Sequence, residues 1–251
     1  MKGLCKMRFA TTVFLMLACS PWPAALFTTA YAQESSVKQA QDRITHLTNE
    51  LRASAGLKEL SKNDSLNKAA TDFAHFMLAE SKYGHRADGR RPAERAEIAG
   101  YDYCVVRENI AYRVDPDRPD ASAVAQDFFD GWKESEGHRE NMLGEHISET
   151  GVAVVSNDGV TFYAVQMFGR PASAKFKIQI KNETNSTQVL LFSTEDSRDE
   201  ISIPPKILLS LSRCIATSIS LQSSDTALDV KESGQFAITA GPGGDVVLGK
   251  Q

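Results

Sequence analysis

The sequence lacks most of the signatures that would settle its class at a glance. No nucleophilic Ser or Cys motif and no His-Glu-x-x-His helix occurs in its 251 residues, so the common hydrolase patterns are missing. Cysteine is scarce, with only Cys5, Cys19, Cys104 and Cys214. There is no basic excess, since 28 basic residues face 32 acidic ones. Sequence-independent nucleic-acid binding rests on a basic face, and this balance argues against it. Long apolar runs are absent beyond the N-terminus, so no transmembrane segment is expected. No internal repeat is visible.

What is present begins with a leader. Lys2, Lys6 and Arg8 precede an apolar run from Phe9 to Ala18, and Ala30-Tyr31-Ala32 follows. That order of charge, apolar core and small-x-small site reads as a signal peptide, residues 1–32, cleaved after Ala32. The apolar core is too short for a bilayer span, which takes about 20 residues. Lipid attachment at Cys19 is the lesser alternative, because Met16-Leu17-Ala18 matches a lipoprotein signal poorly. A secreted or periplasmic location is expected. Without Lys2, Lys6 and Arg8 the basic count falls to 25, and the remainder carries a net charge of −7. Cys104 and Cys214 would then sit in an oxidising compartment where disulfides persist. A bridge stapling the two halves of the chain and two buried free thiols both stay open.

Helical spacing predicts a helix from about Val37 to Ala55, with Ile44, Leu47 and Leu51 on one face and Gly56 as its stop. A second helix, capped near Asn63 or Asp64, buries Leu66, Ala69, Ala70, Phe73 and Met77 and ends before Gly84. Pro92 opens a short helix that closes at Gly100. Residues 101–120 read as irregular. Ala121 to about Glu134 returns to helical spacing and buries Val124, Phe128 and Trp132. From Glu149 the period becomes two, and Ser156-Asn157-Asp158-Gly159 joins two strands as a hairpin. Residues 37–171 thus make one domain. Residues 172–251, with short alternating runs such as Phe176-Lys177-Ile178-Gln179-Ile180, read as a small antiparallel β domain. Asn182 and Asn185 match glycosylation acceptors, although turn chemistry more commonly explains such clusters.

The histidines divide unevenly. His46 and His75 sit on helices, and His146 follows Glu145 in a loop. His85 and His138 each follow a glycine and precede an arginine, and Arg107-Glu108-Asn109 lies between them. Two imidazoles and a carboxylate from separate loops could converge on a divalent metal or as an acid–base set, but spacing alone does not establish it. The densest stretch of functional groups is Trp132–Leu143.

The order of these motifs resembles a family. Gly84-His85, Arg95, Gly100-Tyr101, Glu108-Asn109-Ile110-Ala111, Trp132, Gly137-His138-Arg139-Glu140-Asn141-Met142-Leu143, Gly151-Val152 and Tyr163–Phe168 follow the pattern of the CAP superfamily. That group holds cysteine-rich secretory proteins, venom antigens and plant pathogenesis-related proteins, and this chain is most similar to its bacterial SCP-like branch. The resemblance covers roughly residues 40–170. It implies an α+β fold: an α-β-α sandwich with an antiparallel sheet and a cleft, followed here by the all-β segment. It also implies a cleft lined by His85, Glu108 and His138, in which the two histidines bind a divalent ion such as zinc. The family's second glutamate falls at Ser135, flanked by Glu134 and Glu136. Glu136 is the substitute expected in the cleft, although on a continuous helix a one-residue shift turns a side chain by about 100°.

Three functions follow as expectations. The first is an extracytoplasmic protein binding a small hydrophobic, lipid-like or envelope-derived ligand. The alternative is a metal-assisted hydrolase of peptide or envelope material, using Glu108 and His138. The third is an adhesion or structural role for the β domain.

Overall fold

The computed structural model describes residues 24–194, 197–241, 243 and 245–251, with side chains from residue 37 onward. The leader's charged residues and apolar run lie outside the described residues. Residues 1–35 and 36–251 are separate compact units, and of the first only the opening of helix α1 is described.

Helix α1 spans Ala24–Ser54, longer at its start than the expected Val37, and Gly56 with φ +74° lies just past its end. After the two-residue β1 (Ser61–Lys62), helix α2 (Asp64–Glu80) starts where the Asn63 side chain accepts the amides of Ser65 and Leu66 at 3.0 and 3.1 Å. Such a cap is worth about 1 kcal/mol. Helix α3 (Pro92–Ile98) opens on proline as expected. Next come β2 (Tyr103–Val114), α4 (Ala121–Glu134), α5 (Glu136–Leu143), β3 (Glu149–Val155) and β4 (Thr161–Pro171).

One of these elements corrects the sequence reading and another adds to it. Residues 103–114, expected to be irregular, form the long strand β2, paired antiparallel with β4 from Tyr103↔Pro171 to Val114↔Thr161. The polar run Arg107-Glu108-Asn109 hides the alternation, because Glu108 and Asn109 are both buried and hydrogen-bonded rather than solvated. Helix α4 ends at Glu134 as expected, and the short helix α5 that follows was not foreseen. Ser135 adopts φ −89°, ψ 121°, breaks the helix and starts α5. Ser135 and Glu136 do not share one continuous helix, so a turn of about 100° does not relate their side chains.

The strand order is β1-β3-β4-β2, so β2 is an edge strand. Strand period two sorts its residues to two faces. Val152, Val154, Phe162, Ala164 and Phe168 pack with Ile44 and Leu47 of α1 and with Val124, Phe128 and Trp132 of α4. Ala153, Val155, Tyr163, Val165 and Met167 pack with Leu66, Phe73 and Met77 of α2 and Ala96 of α3. The α-β-α sandwich follows directly. Gly151 is where α2 crosses closest, for a Cβ there would lie 2.2 Å from the Asn67 nitrogen.

The C-terminal part has its own core. Strands β5 (Phe176–Asn182), β6 (Gln188–Ser193), β7 (Arg198–Ile203), β8 (Leu208–Arg213), β9 (Thr217–Leu221), β10 (Ala227–Val230), β11 (Gly234–Ala240) and β12 (Val246–Lys250) form two four-stranded sheets, ordered β12-β11-β5-β8 and β10-β9-β6-β7. Ile178, Ile180, Leu190, Phe192, Ile219 and Ile238 share one cluster. The expected antiparallel arrangement fails at one pair, because β5 and β11 run parallel, Gly234↔Ile178 to Ile238↔Asn182. The chain between them crosses to the other sheet and back twice, returning once for β8, which supplies the long connection a parallel pair needs. Asn182 is fully buried and its amide donates to the carbonyls of Ser186, Ile203 and Pro204, so at this position turn chemistry explains the motif. Cys104 and Cys214 form a disulfide across 110 residues, resolving the open pairing and joining β2 to the β8–β9 turn.

Candidate functional site

The site is assembled around the dipeptide Glu108-Asn109 on β2, whose side chains point to opposite faces of the strand. Glu108 is 4% exposed and has both oxygens engaged. Oε1 lies 2.8 Å from Nδ1 of His85, and Oε2 accepts from Nη2 of Arg95 at 2.6 Å. A carboxylate only accepts, so Nδ1 of His85 donates to Glu108 and Nε2 is the ring nitrogen left to face outward. Gly84, at φ +139°, provides the backbone turn that presents His85.

Arg95 reaches this position from α3, with its guanidinium carbon 3.6 Å from the Phe73 ring centroid. It donates to Asp88 Oδ1 at 2.9 Å, to the Arg90 carbonyl at 2.9 Å and to the His85 carbonyl at 3.0 Å. One buried guanidinium thus shapes the whole loop between α2 and α3. Burying such a pair costs desolvation that its hydrogen bonds must offset. What the pair secures is the placement of His85 and Glu108.

Asn109 does the corresponding work on the other side. Its Nδ2 donates to the His138 carbonyl at 3.0 Å, and its Oδ1 accepts from Asn141 at 2.9 Å. Asn141 also donates to the Glu108 carbonyl at 3.2 Å. The end of α5 is held by Arg52 of α1, whose Nη1 donates to the carbonyls of Met142 and Gly144 at 2.8 and 3.0 Å. Those are orphan carbonyls of a helix terminus, satisfied by a buried cation. His138 therefore rides on a helix pinned at both ends. Burial lowers the basicity of His138, and the neighbouring His85 adds to that by charge repulsion. The two imidazoles share an electrostatic neighbourhood.

Along the free edge of β2 lies a hollow of about 370 Å³, lined by Tyr83, Ile110, Tyr112, Trp132, Ser135 and His138 among others. Trp132 Nε1 and the Tyr83 hydroxyl both donate to the Ile110 carbonyl, at 3.1 and 3.2 Å. Two side chains from different elements thereby close off an edge-strand acceptor. A second hollow, about 580 Å³, lies on the other side of α5 and is charged, with Arg107, Glu136, Arg139 and Glu140 in its wall.

The expected site residues separate accordingly. His85 and Glu108 are in direct contact, and Asn109 links them to the segment carrying His138. Glu136 faces the charged hollow, while Ser135 lines the one that holds His138. Among the described residues no group of three or more His, Cys, Asp or Glu side chains is arranged to hold a metal. The sequence reading did not single out Asp88, Tyr83 or Tyr112. The strand period would have found Tyr112, which shares a face of β2 with Glu108 and Ile110.

Residues 45–168 match the model of the cysteine-rich secretory protein family, CAP. This part of the chain is a CAP domain. The uncharacterised protein YkwD of Bacillus subtilis is 26% identical over 142 residues, covering 56% of this chain and 52% of that protein, so the match spans about half of the relative's length. An extracellular protein of Bacillus anthracis containing an SCP domain is 24% identical, with a TM-score of 0.47 over 55% of this chain and 42% of that one. An outer surface protein of Borrelia burgdorferi is 19% identical, with a TM-score of 0.48 over 54% of this chain and 95% of that one. These alignments cover only about half of this chain, as the CAP domain alone would. Among the described residues no helix is long and apolar enough to cross a membrane.

Proposed function

We propose that the chain is an extracytoplasmic binding protein whose CAP domain holds a small ligand with an apolar face in the hollow over His138. The observation that carries this reading is the hollow's wall. Tyr83, Ile110, Tyr112, Phe128 and Trp132 supply apolar surface, and Arg113, Asp127, Ser135 and His138 supply the few polar groups. Largely apolar pockets with a small number of placed polar groups are the common form of small-molecule sites. The leader pattern of residues 1–32 supports the extracytoplasmic placement.

The hydrolase alternative needs Glu108 as a base, and its two oxygens are committed to His85 and Arg95. Glu108 instead orients His85. A divalent ion such as zinc would be held by His85 through Nε2 and by His138 as a neutral imidazole. Two imidazoles fit a weak, open site rather than a closed structural one. Such an ion would supply a positive centre for a ligand's oxygen.

The test uses Gly131, which lines the hollow and has nothing within 4 Å of where a Cβ would sit. Gly131→Leu fills the hollow and also improves helix propensity, by up to about 1 kcal/mol. Titrating 1-naphthol, a neutral ring with one hydroxyl, should show saturable binding that Gly131→Leu reduces at least about tenfold, or 1.4 kcal/mol. Equal binding by both proteins, or none by either, would remove this reading. Zinc titration of the wild type and of His85→Ala addresses the metal separately.

A further inference from the structure

Two half-exposed tyrosines stand at the mouth of the hollow, Tyr83 at 50% and Tyr112 at 55% exposure. Neither ring is loosely held. The Tyr83 hydroxyl is bonded to the Ile110 carbonyl. The two rings lie 5.0 Å apart at 59°, and Tyr112 also stacks on Tyr163 at 5.9 Å and 27°. The mouth is therefore a rigid aromatic corner, and binding there requires little further ordering of side chains.

The charges beside it select the ligand. Arg113 lines the hollow and pairs with both Asp115 and Asp127, one guanidinium against two carboxylates. The two carboxylates outweigh that guanidinium's charge, so the cluster does not attract a phosphate or a carboxylate, while its remaining N–H groups can still donate. An acyl chain gains about 0.8 kcal/mol per methylene only where water is excluded, and half-exposed tyrosines do not enclose one. What the mouth offers is an apolar ring face beside a rim of donors and acceptors: the guanidinium, the Asp127 carboxylate, the Ser135 hydroxyl and the His138 imidazole. A pyranose ring has the matching shape. Its C–H face packs on the electron-rich face of an aromatic ring, and its equatorial hydroxyls point outward to the rim.

Resting on the reading of this hollow as a ligand site, we infer that its ligand is a neutral carbohydrate, with a sugar ring stacked in the Tyr83–Tyr112 corner and its hydroxyls bonded to the Arg113–Asp127 pair. The experiment is calorimetric titration of the full chain with cellohexaose, chitohexaose and mannohexaose, with 1-naphthol in parallel. At least one hexasaccharide should bind saturably. Tyr112→Ala should weaken it about tenfold and Tyr112→Trp should retain it, the stacking face being the difference. Binding of 1-naphthol without any hexasaccharide would overturn the carbohydrate inference and leave the ligand site standing. Failure of both would remove both. Hexasaccharide binding that ignores Tyr112→Ala would place the sugar elsewhere and overturn the inference as well.

Discussion

The two parts of the chain bury polar groups in different ways. In the CAP domain Arg52, Arg95 and Glu108 are charged and nearly inaccessible, and their bonds tie together α1, α3, β2 and α5. Among the described residues of the C-terminal sandwich the buried polar ones are Asn182, Thr184, Gln188 and Thr217, all neutral. Three of these four serve one turn, where Thr184 donates to Asn182 Oδ1 at 2.7 Å and accepts from Gln188. A buried charge is costly unless it is paired and hydrogen-bonded, and a sandwich core needs none. The CAP domain gives up stability to place functional groups, and the sandwich gives up very little.

Removing one partner of the buried ion pair should give the largest effect. Arg95→Ala is expected to cost about 3–5 kcal/mol by urea denaturation, because buried Glu108 and Asp88 both lose their cationic partner and Glu108 keeps only the His85 contact. A loss under about 1 kcal/mol would put this pair on a level with surface pairs such as Lys68–Asp72. Next in size is the covalent link between the two parts. Cys104→Ser with Cys214→Ser should cost about 2–4 kcal/mol for a long closed loop, seen in the same denaturation curves. No loss would mean that the two parts are held together without the bridge. In the sandwich, Asn182→Ala should cost about 1–3 kcal/mol, since it strands the carbonyls of Ser186, Ile203 and Pro204. The smallest effect belongs to the exposed pair itself, where Lys68→Ala should stay within about 0.5 kcal/mol. If Asn182→Ala exceeded Arg95→Ala, the contrast between the two parts would be reversed.

The same contrast governs what the sequence could disclose. Helices α2, α3 and α4 were legible because Asn63, Pro92 and regular apolar spacing act locally. The hairpin was legible from Asp158-Gly159, whose Asp158 carboxylate accepts the amides of Val160 and Thr161 at 2.8 and 2.7 Å. Strand β2 was hidden because its central polar residues are satisfied by partners distant in sequence, Arg95 at 13 residues and His138 at 29. The end of α4 at Glu134 was legible, whereas α5 was not, because its eight residues bury little besides Met142 and carry no apolar stripe. The parallel β5–β11 pair and the Cys104–Cys214 bridge depend on tertiary placement, which no local pattern records. His85, Glu108 and His138 were singled out together through the family resemblance, and of these the structure puts His85 and Glu108 in direct contact. The tyrosine corner was not, since its value lies in how two distant rings meet.

On the proposed function the hollow beside β2, and not the charged hollow beyond α5, holds the ligand. An amide-resolved NMR titration of the chain with 1-naphthol tests it directly. Shifts should gather at Tyr83, Ile110, Gly131, Ser135 and His138. Shifts gathered instead at Arg107, Glu136 and Glu140, or at Leu228 and Phe236 of the sandwich, would contradict it.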